Sequence, residues 1–124
     1  MFKEEIKNAL LMNLATPSNV VRTQVAAAIA VVASIELPRK EWTDLIDNLT
    51  ANSEHESDEI RMASLQTLGY ICDEITANDI SDVHKSKIIQ ALTRNITKDS
   101  SKIKLCNLAI KAFFSALPFV SNFF

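Results

Sequence analysis

An apolar residue followed by a base recurs just after a capping loop, at Val21-Arg22, Ile60-Arg61 and Ile103-Lys104, which puts the bases at 22, 61 and 104, intervals of 39 and 43. Each pair opens a run whose apolar residues return at helical spacing, and a second run of that kind precedes each one. A unit of about 40 residues holding two helices, used three times, is the arrangement such a recurrence specifies. Composition agrees. Gly69 is the only glycine, and Pro17, Pro38 and Pro118 are the only prolines in 124 residues, far fewer turn residues than a β-sandwich or barrel needs.

The runs read in order. Phe2, Ile6, Leu10 and Leu14 step by four along one helix face, and Thr16-Pro17-Ser18-Asn19 stops that helix and offers caps to the next. Val21, Val25, Ala28 and Val32 mark the second helix, which ends at Glu36-Leu37-Pro38. Trp42, Leu45, Ile46 and Leu49 sit at offsets of zero, three, four and seven and predict a third helix with Trp42 on its buried stripe. The polar stretch from Ser53 to Asp58 reads as a loop, and Ile60, Leu65, Leu68, Cys72 and Ile75 form the fourth stripe. Beyond a loop around Thr76 to Asp82, Ile88, Ile89 and Leu92 mark the fifth. Thr97 to Ser101 then separates it from a sixth carrying Ile103, Cys106, Ile110, Phe113 and Leu117.

The fold class is therefore all-α, an α-α superhelix of the HEAT or armadillo type, with units at 1–37, 38–79 and 80–124 in a single array. Such a unit buries its stripes only by stacking on neighbours. The apolar Phe119, Val120, Phe123 and Phe124 suggest a piece of a longer array whose ends would self-associate. With 48% hydrophobic and 23% charged residues the chain has the balance of a folded domain. A net charge of -2 offers no field for gripping phosphates, so no nucleic-acid partner is expected. The longest uninterrupted apolar run, Val25 to Ala33, is short of the roughly 20 residues of a membrane span, so no membrane insertion is expected either.

Catalytic readings find little to stand on. One glycine excludes a phosphate-cradling loop, and no His-Glu-x-x-His, Gly-x-Ser-x-Gly or Cys-x-x-Cys pattern occurs. His55 among Glu54, Glu56 and Asp58, and His84 near Asp79 and Asp82, read as solvated helix-start loops without fixed geometry for a metal. Cys72 and Cys106 lie on apolar stripes and read as buried structural thiols. The expectation is no enzyme, no cofactor and no metal. Arg22, Arg61 and Lys104 could form a basic ladder toward an acidic partner or simply pair with loop carboxylates.

Two segments carry more than helix pattern. Ile35-Glu36-Leu37-Pro38-Arg39 followed by Glu41-Trp42-Thr43-Asp44-Leu45-Ile46, and Leu65-Gln66-Thr67-Leu68-Gly69-Tyr70-Ile71-Cys72-Asp73-Glu74, stand in the order and spacing of two successive repeats of the importin-β (karyopherin-β) family. The resemblance extends upstream to Ala26–Ala30 and downstream to Ile103-Lys104-Leu105. It implies a portion near the third to fifth repeats of a nuclear transport receptor that works by protein binding, in cytoplasm, nucleus and the nuclear pore. It further implies, as partners, the GTP form of the GTPase Ran, Phe-Gly nucleoporins, and importin-α or cargo. In that family the second helices of early repeats face Ran, which points to Asn19, Thr23, Gln24, Glu59, Gln66, Asp73 and Glu74. The first helices of middle repeats form the nucleoporin grooves, which points to Ile89, Gln90 and Thr93. A HEAT scaffold or adaptor subunit unrelated to transport is the alternative.

Overall fold

In a computed structural model, residues 2–96 and 99–120 are described. They form α1 (Phe2–Leu14), α2 (Asn19–Glu36), α3 (Leu45–Asn52), α4 (Asp58–Glu74), α5 (Asp82–Arg94) and α6 (Ile103–Val120), with no strand among the described residues. Serines start three of the helices. The hydroxyl oxygens of Ser18, Ser57 and Ser81 accept from the backbone N–H groups of Val21, Ile60 and His84, three residues on, which satisfies a donor that helix geometry leaves orphaned. The expected breaks at Pro17, at Pro38 in a short 3-10 turn, from Ser53 to Asp58 and from Thr76 to Asp82 all fall between α-helices, except that Asp58 and Asp82 are already the first residues of α4 and α5. Of the expected break from 97 to 101, residues 97–98 lie outside the described residues.

The helices stack as two layers. α2, α4 and α6 pack side by side, with α4 at the centre, while α1, α3 and α5 pack across them. Links between successive pairs recur at nearly constant separation: Lys3 to Glu41 across 38 residues, Lys87 to Asp47 and Arg94 to Glu54 across 40, and Lys102 to Asp58 across 44. This is the register of a HEAT-like helical repeat.

Several stripes are rotated from those the sequence suggested. In α2 the buried residues are Arg22, Ala26, Ile29, Ala30, Ala33 and Glu36, whereas Val21 is exposed and Val25, Ala28 and Val32 are only half-buried. In α6 they are Leu105, Ala109, Ala112, Ala116 and Phe119, leaving Ile103 69% and Ile110 40% exposed. The cause is common to both. Helices that pack closely meet through their smallest side chains, so alanine defines the contact line and the larger residues flank it. α1 buries Leu14 and half-buries Leu10, but Phe2 is 81% exposed.

Trp42 is also displaced. It precedes α3 with φ 55, two residues after Lys40 with φ 59. Its half-buried ring lies under Lys7, whose ammonium is 5.0 Å from the ring centroid. Lys7 is itself buried and pairs with the buried carboxylate of Glu36, and Lys3 reaches the same carboxylate at 3.6 Å. This bond to Glu36 holds the Lys7 ammonium above its ordinary range. The corner thus joins α1, α2 and the entry to α3 through charge and an aromatic face.

By length and composition alone, Asn19–Arg39 and Ser100–Val120 are each apolar enough to cross a membrane, which the count of uninterrupted apolar residues missed. In this fold both lie against α4, and Arg22 and Glu36 within the first find partners inside the protein.

Candidate interaction surface

The polar residues expected to meet a partner on the α2–α4–α6 layer divide into two groups. Asn19, Thr23 and Gln66 are joined to one another. Arg22 donates from Nη2 to Asn19 Oδ1 and from Nε to Gln66 Oε1 at 3.1 Å, while Gln66 Nε2 donates to Thr23 Oγ1 at 3.0 Å and to the Tyr70 hydroxyl at 3.1 Å. This network fastens α2 to α4, with Arg22 only 6% exposed. Gln24, Glu59, Asp73 and Glu74 are exposed, and among the described residues no hydrogen bond or ion pair engages their side chains. Of the expected residues, these are the ones the layer can offer to another molecule.

The seam between α4 and α6 differs. A Cβ built on Gly69 would lie 3.0 Å from both Cα and Cβ of Ala112, so the two helices touch nearly backbone to backbone. Above that contact lies an open trough of about 260 Å³, with Gln66, Tyr70 and Asp73 on one wall and Leu108, Lys111 and Ser115 on the other.

On the opposite layer, Ile89 is half-buried against the core, and the exposed Thr93 turns its hydroxyl back to the carbonyl of Ile89 at 2.9 Å. Ile89 and Gln90 line a cleft of about 560 Å³ with Phe119 and Val120; Thr93 does not. A cleft the sequence reading did not single out, of about 340 Å³, opens between α1 and α3 over α4 and is lined by Leu11, Leu14, Leu45, Leu49 and Ala63, with His55 at its edge. It exists because α1 and α3 stand apart, whereas α3 and α5 are held by the Lys87–Asp47 and Arg94–Glu54 ion pairs. Helix spacing across repeats leaves no mark in any one helix, so no sequence signal could have located it.

The other candidates resolve into structure. Arg61 donates to the Ser53 carbonyl at 3.2 Å and to Asn95 Oδ1, so it and Arg22 serve as internal fasteners. Lys104 is exposed, and the ion pair at its end of α6 is made by Lys102 with Asp58 at 2.7 Å. His55 Nδ1 accepts from the Ser57 N–H at 2.9 Å, and His84 Nε2 lies 3.5 Å from Asp47 across the α3–α5 seam instead of meeting Asp79 or Asp82. Cys72 is buried, and burial, with a smaller effect of Asp73, pushes its thiol up to about 12, far from a nucleophile's range. Cys106 is half-buried rather than buried. Among the described residues no group of three or more His, Cys, Asp or Glu is placed to hold a metal ion.

Stacked helix pairs and cross-repeat links near 40 residues define the class: an all-α, HEAT-like repeat array. Sequence comparison gives the particular kind. The chain is 34% identical over 122 residues to importin subunit beta-1 of Arabidopsis thaliana, 28% over 123 residues to that of Schizosaccharomyces pombe and 30% over 124 residues to that of Saccharomyces cerevisiae, each alignment taking in at least 97% of the chain. The chain is an importin-β-type segment, and it spans 14% of the length of the curated relatives it matches. No protein-family profile and no solved structure matches it.

Proposed function

We propose that this chain acts as part of a nuclear transport receptor moving between cytoplasm and nucleus, and that it works by binding proteins. The observation that carries this reading is the end-to-end similarity to importin subunit beta-1. The uncommitted polar groups on the α2–α4–α6 layer supply the means. Gln24, Glu59, Asp73 and Glu74 face a docked protein, and GTP-bound Ran is the partner the family resemblance favours. Asn19, Thr23 and Gln66 hold the backbone of that face in register, so they support the contact more than they make it.

Phe-Gly nucleoporin segments dock on the opposite layer. The α5–α6 cleft holding Ile89 and Gln90 is one place for a phenylalanine ring, and the more apolar α1–α3 cleft supports a second. Importin-α or cargo engages the longer array rather than this segment alone, since solenoids spread recognition over many repeats.

The test is a titration of isotopically labelled chain with Ran loaded with GTP or GDP, and with a Phe-Gly peptide. The GTP form is expected to shift signals of Gln24, Glu59, Asp73 and Glu74 with affinity on the order of millimolar, because a short array presents a small share of the interface. Equal response to both nucleotide states, or none at these residues, would overturn the Ran assignment. Peptide shifts confined to Ile89 and the α1–α3 cleft are expected, and their absence would remove the nucleoporin reading.

A further inference from the structure

We propose that the trough between α4 and α6 is a receptor for a single arginine side chain presented by a protein docked on the α2–α4–α6 layer. The inference deepens the reading of that layer as a docking face and rests on it, but it holds for any protein that carries the arginine.

The two seams of the layer make the argument. The α2–α4 seam already contains an arginine, Arg22, buried and satisfied by Asn19 and Gln66. The α4–α6 seam has none of its own, since Arg61 turns away to Ser53 and Asn95, and among the described residues the hydrogen bonds of Lys102, just before α6, to Asp58 at the far end of α4 are the side-chain hydrogen bonds that tie this seam. Its floor is the small-residue contact of Gly69 with Ala112, which leaves room for the aliphatic stem of a long side chain beside Leu108. Its α4 wall includes the half-buried Tyr70, an aromatic side chain of the kind that takes a planar cation, and one turn further the exposed carboxylate of Asp73.

Charge selects a cation over an anion. Asp73, the one carboxylate lining the trough, stands in the last turn of α4, where the helix carbonyls add roughly half a negative elementary charge, and Glu74 follows it outside the lining. Against them the trough has one ammonium, that of Lys111 on the opposite wall. Lys111 forms no ion pair with Asp73 here. It is nonetheless a tethered competitor for that carboxylate, so it weakens capture without redirecting it. Arginine fits better than lysine because a planar guanidinium can stack on the Tyr70 ring while giving two parallel hydrogen bonds to one carboxylate.

The experiment uses the 124-residue chain and blocked tripeptides Gly-Arg-Gly, Gly-citrulline-Gly and Gly-Glu-Gly, read by amide chemical shifts. The arginine peptide is expected to give saturable shifts at Tyr70, Asp73 and Ser115, and citrulline, which keeps the shape without the charge, is expected to give none. Asp73→Asn should weaken the arginine peptide about fivefold or more, and Lys111→Ala should strengthen it about twofold, with far-ultraviolet circular dichroism confirming unchanged helicity in both. Equal shifts from arginine and citrulline, unchanged affinity in Asp73→Asn, or preferential binding of the glutamate peptide would each overturn the proposal. Saturable arginine binding at these residues without any response to GTP-bound Ran would sustain it and discard only the identity of the docked protein.

Discussion

The two seams of the central layer hold the same helix, α4, by opposite means. Against α2 it uses polar reach: Arg22, Asn19, Thr23, Gln66 and Tyr70 form one connected set of hydrogen bonds. Against α6 it uses proximity, with Gly69 on Ala112 and the alanines at 109 and 116 fully buried. A hydrogen-bonded seam specifies register through donor and acceptor geometry and tolerates some separation of the helices. A close-packed seam specifies register through shape and tolerates almost none. The difference leaves the polar groups of the first seam occupied and those of the second exposed, which is why the trough lies at the second.

The sharpest way to break this comparison is to push the close-packed seam apart. Gly69→Leu must displace the backbone at Ala112, and overpacking of this kind costs about 3 kcal/mol. Gly69→Ala is the graded control. Its Cβ would meet Ala112 at 3.0 Å, while the helix gains about 1 kcal/mol from replacing glycine, so the net change should be small and unfavourable. Denaturant midpoints of the two variants measure both. A Gly69→Leu protein within about 1 kcal/mol of the parent would show that the seam is looser than its geometry indicates.

That seam marks the boundary of what the sequence discloses. Six helices, their breaks and the two-helix unit were legible, because periodicity, serine caps and prolines act within one element. The faces of α2 and α6 were read one step off. Large apolar residues attract attention, yet Ala26, Ala30 and Ala33, and Ala109, Ala112 and Ala116, are what two close helices require of each other. The single glycine, Gly69, was the one visible hint, since a mid-helix glycine is costly unless another backbone must come near. Trp42 escaped for a different reason. Its left-handed backbone starts α3 three residues later than its spacing suggests, and its partner Lys7 belongs to another helix. The candidate site was half legible: polar positions on α2 and α4 could be chosen by face, but only coordinates show that Gln66 is already occupied by Arg22 and that Asp73 is not.

A smaller effect is expected on the hydrogen-bonded side. Gln66→Ala removes the link among Arg22, Thr23 and Tyr70 and should cost about 1 kcal/mol, since Thr23 and Tyr70 are only partly buried and can reach water while the buried Arg22 keeps its bond to Asn19. Arg22→Ala should cost about 2 kcal/mol, because a nearly buried stem is lost with the bonds. If the network is one unit, the double variant will fall short of the sum by about 0.5 kcal/mol or more. Strict additivity would mean that each side chain acts alone and that this seam, too, is held mainly by packing.

The smallest expected effect separates the seams by mechanism. Lys102 pairs with Asp58 at 2.7 Å and is the charged tie between the start of α6 and the start of α4, but both side chains remain about a third or more exposed. Two exposed charges gain little over their hydrated state, so Lys102→Ala should cost about 0.5 kcal/mol at low salt. At roughly 1 M salt the screening length falls to about 3 Å, and that cost should vanish. The cost of Gly69→Leu should persist there, because steric overlap has no ionic screening. Repeating both unfolding curves with and without salt therefore tests the contrast directly. If Lys102→Ala costs as much as Gly69→Leu at low salt and recovers at high salt, the α4–α6 seam is held by its ion pair rather than by the approach of Gly69 to Ala112.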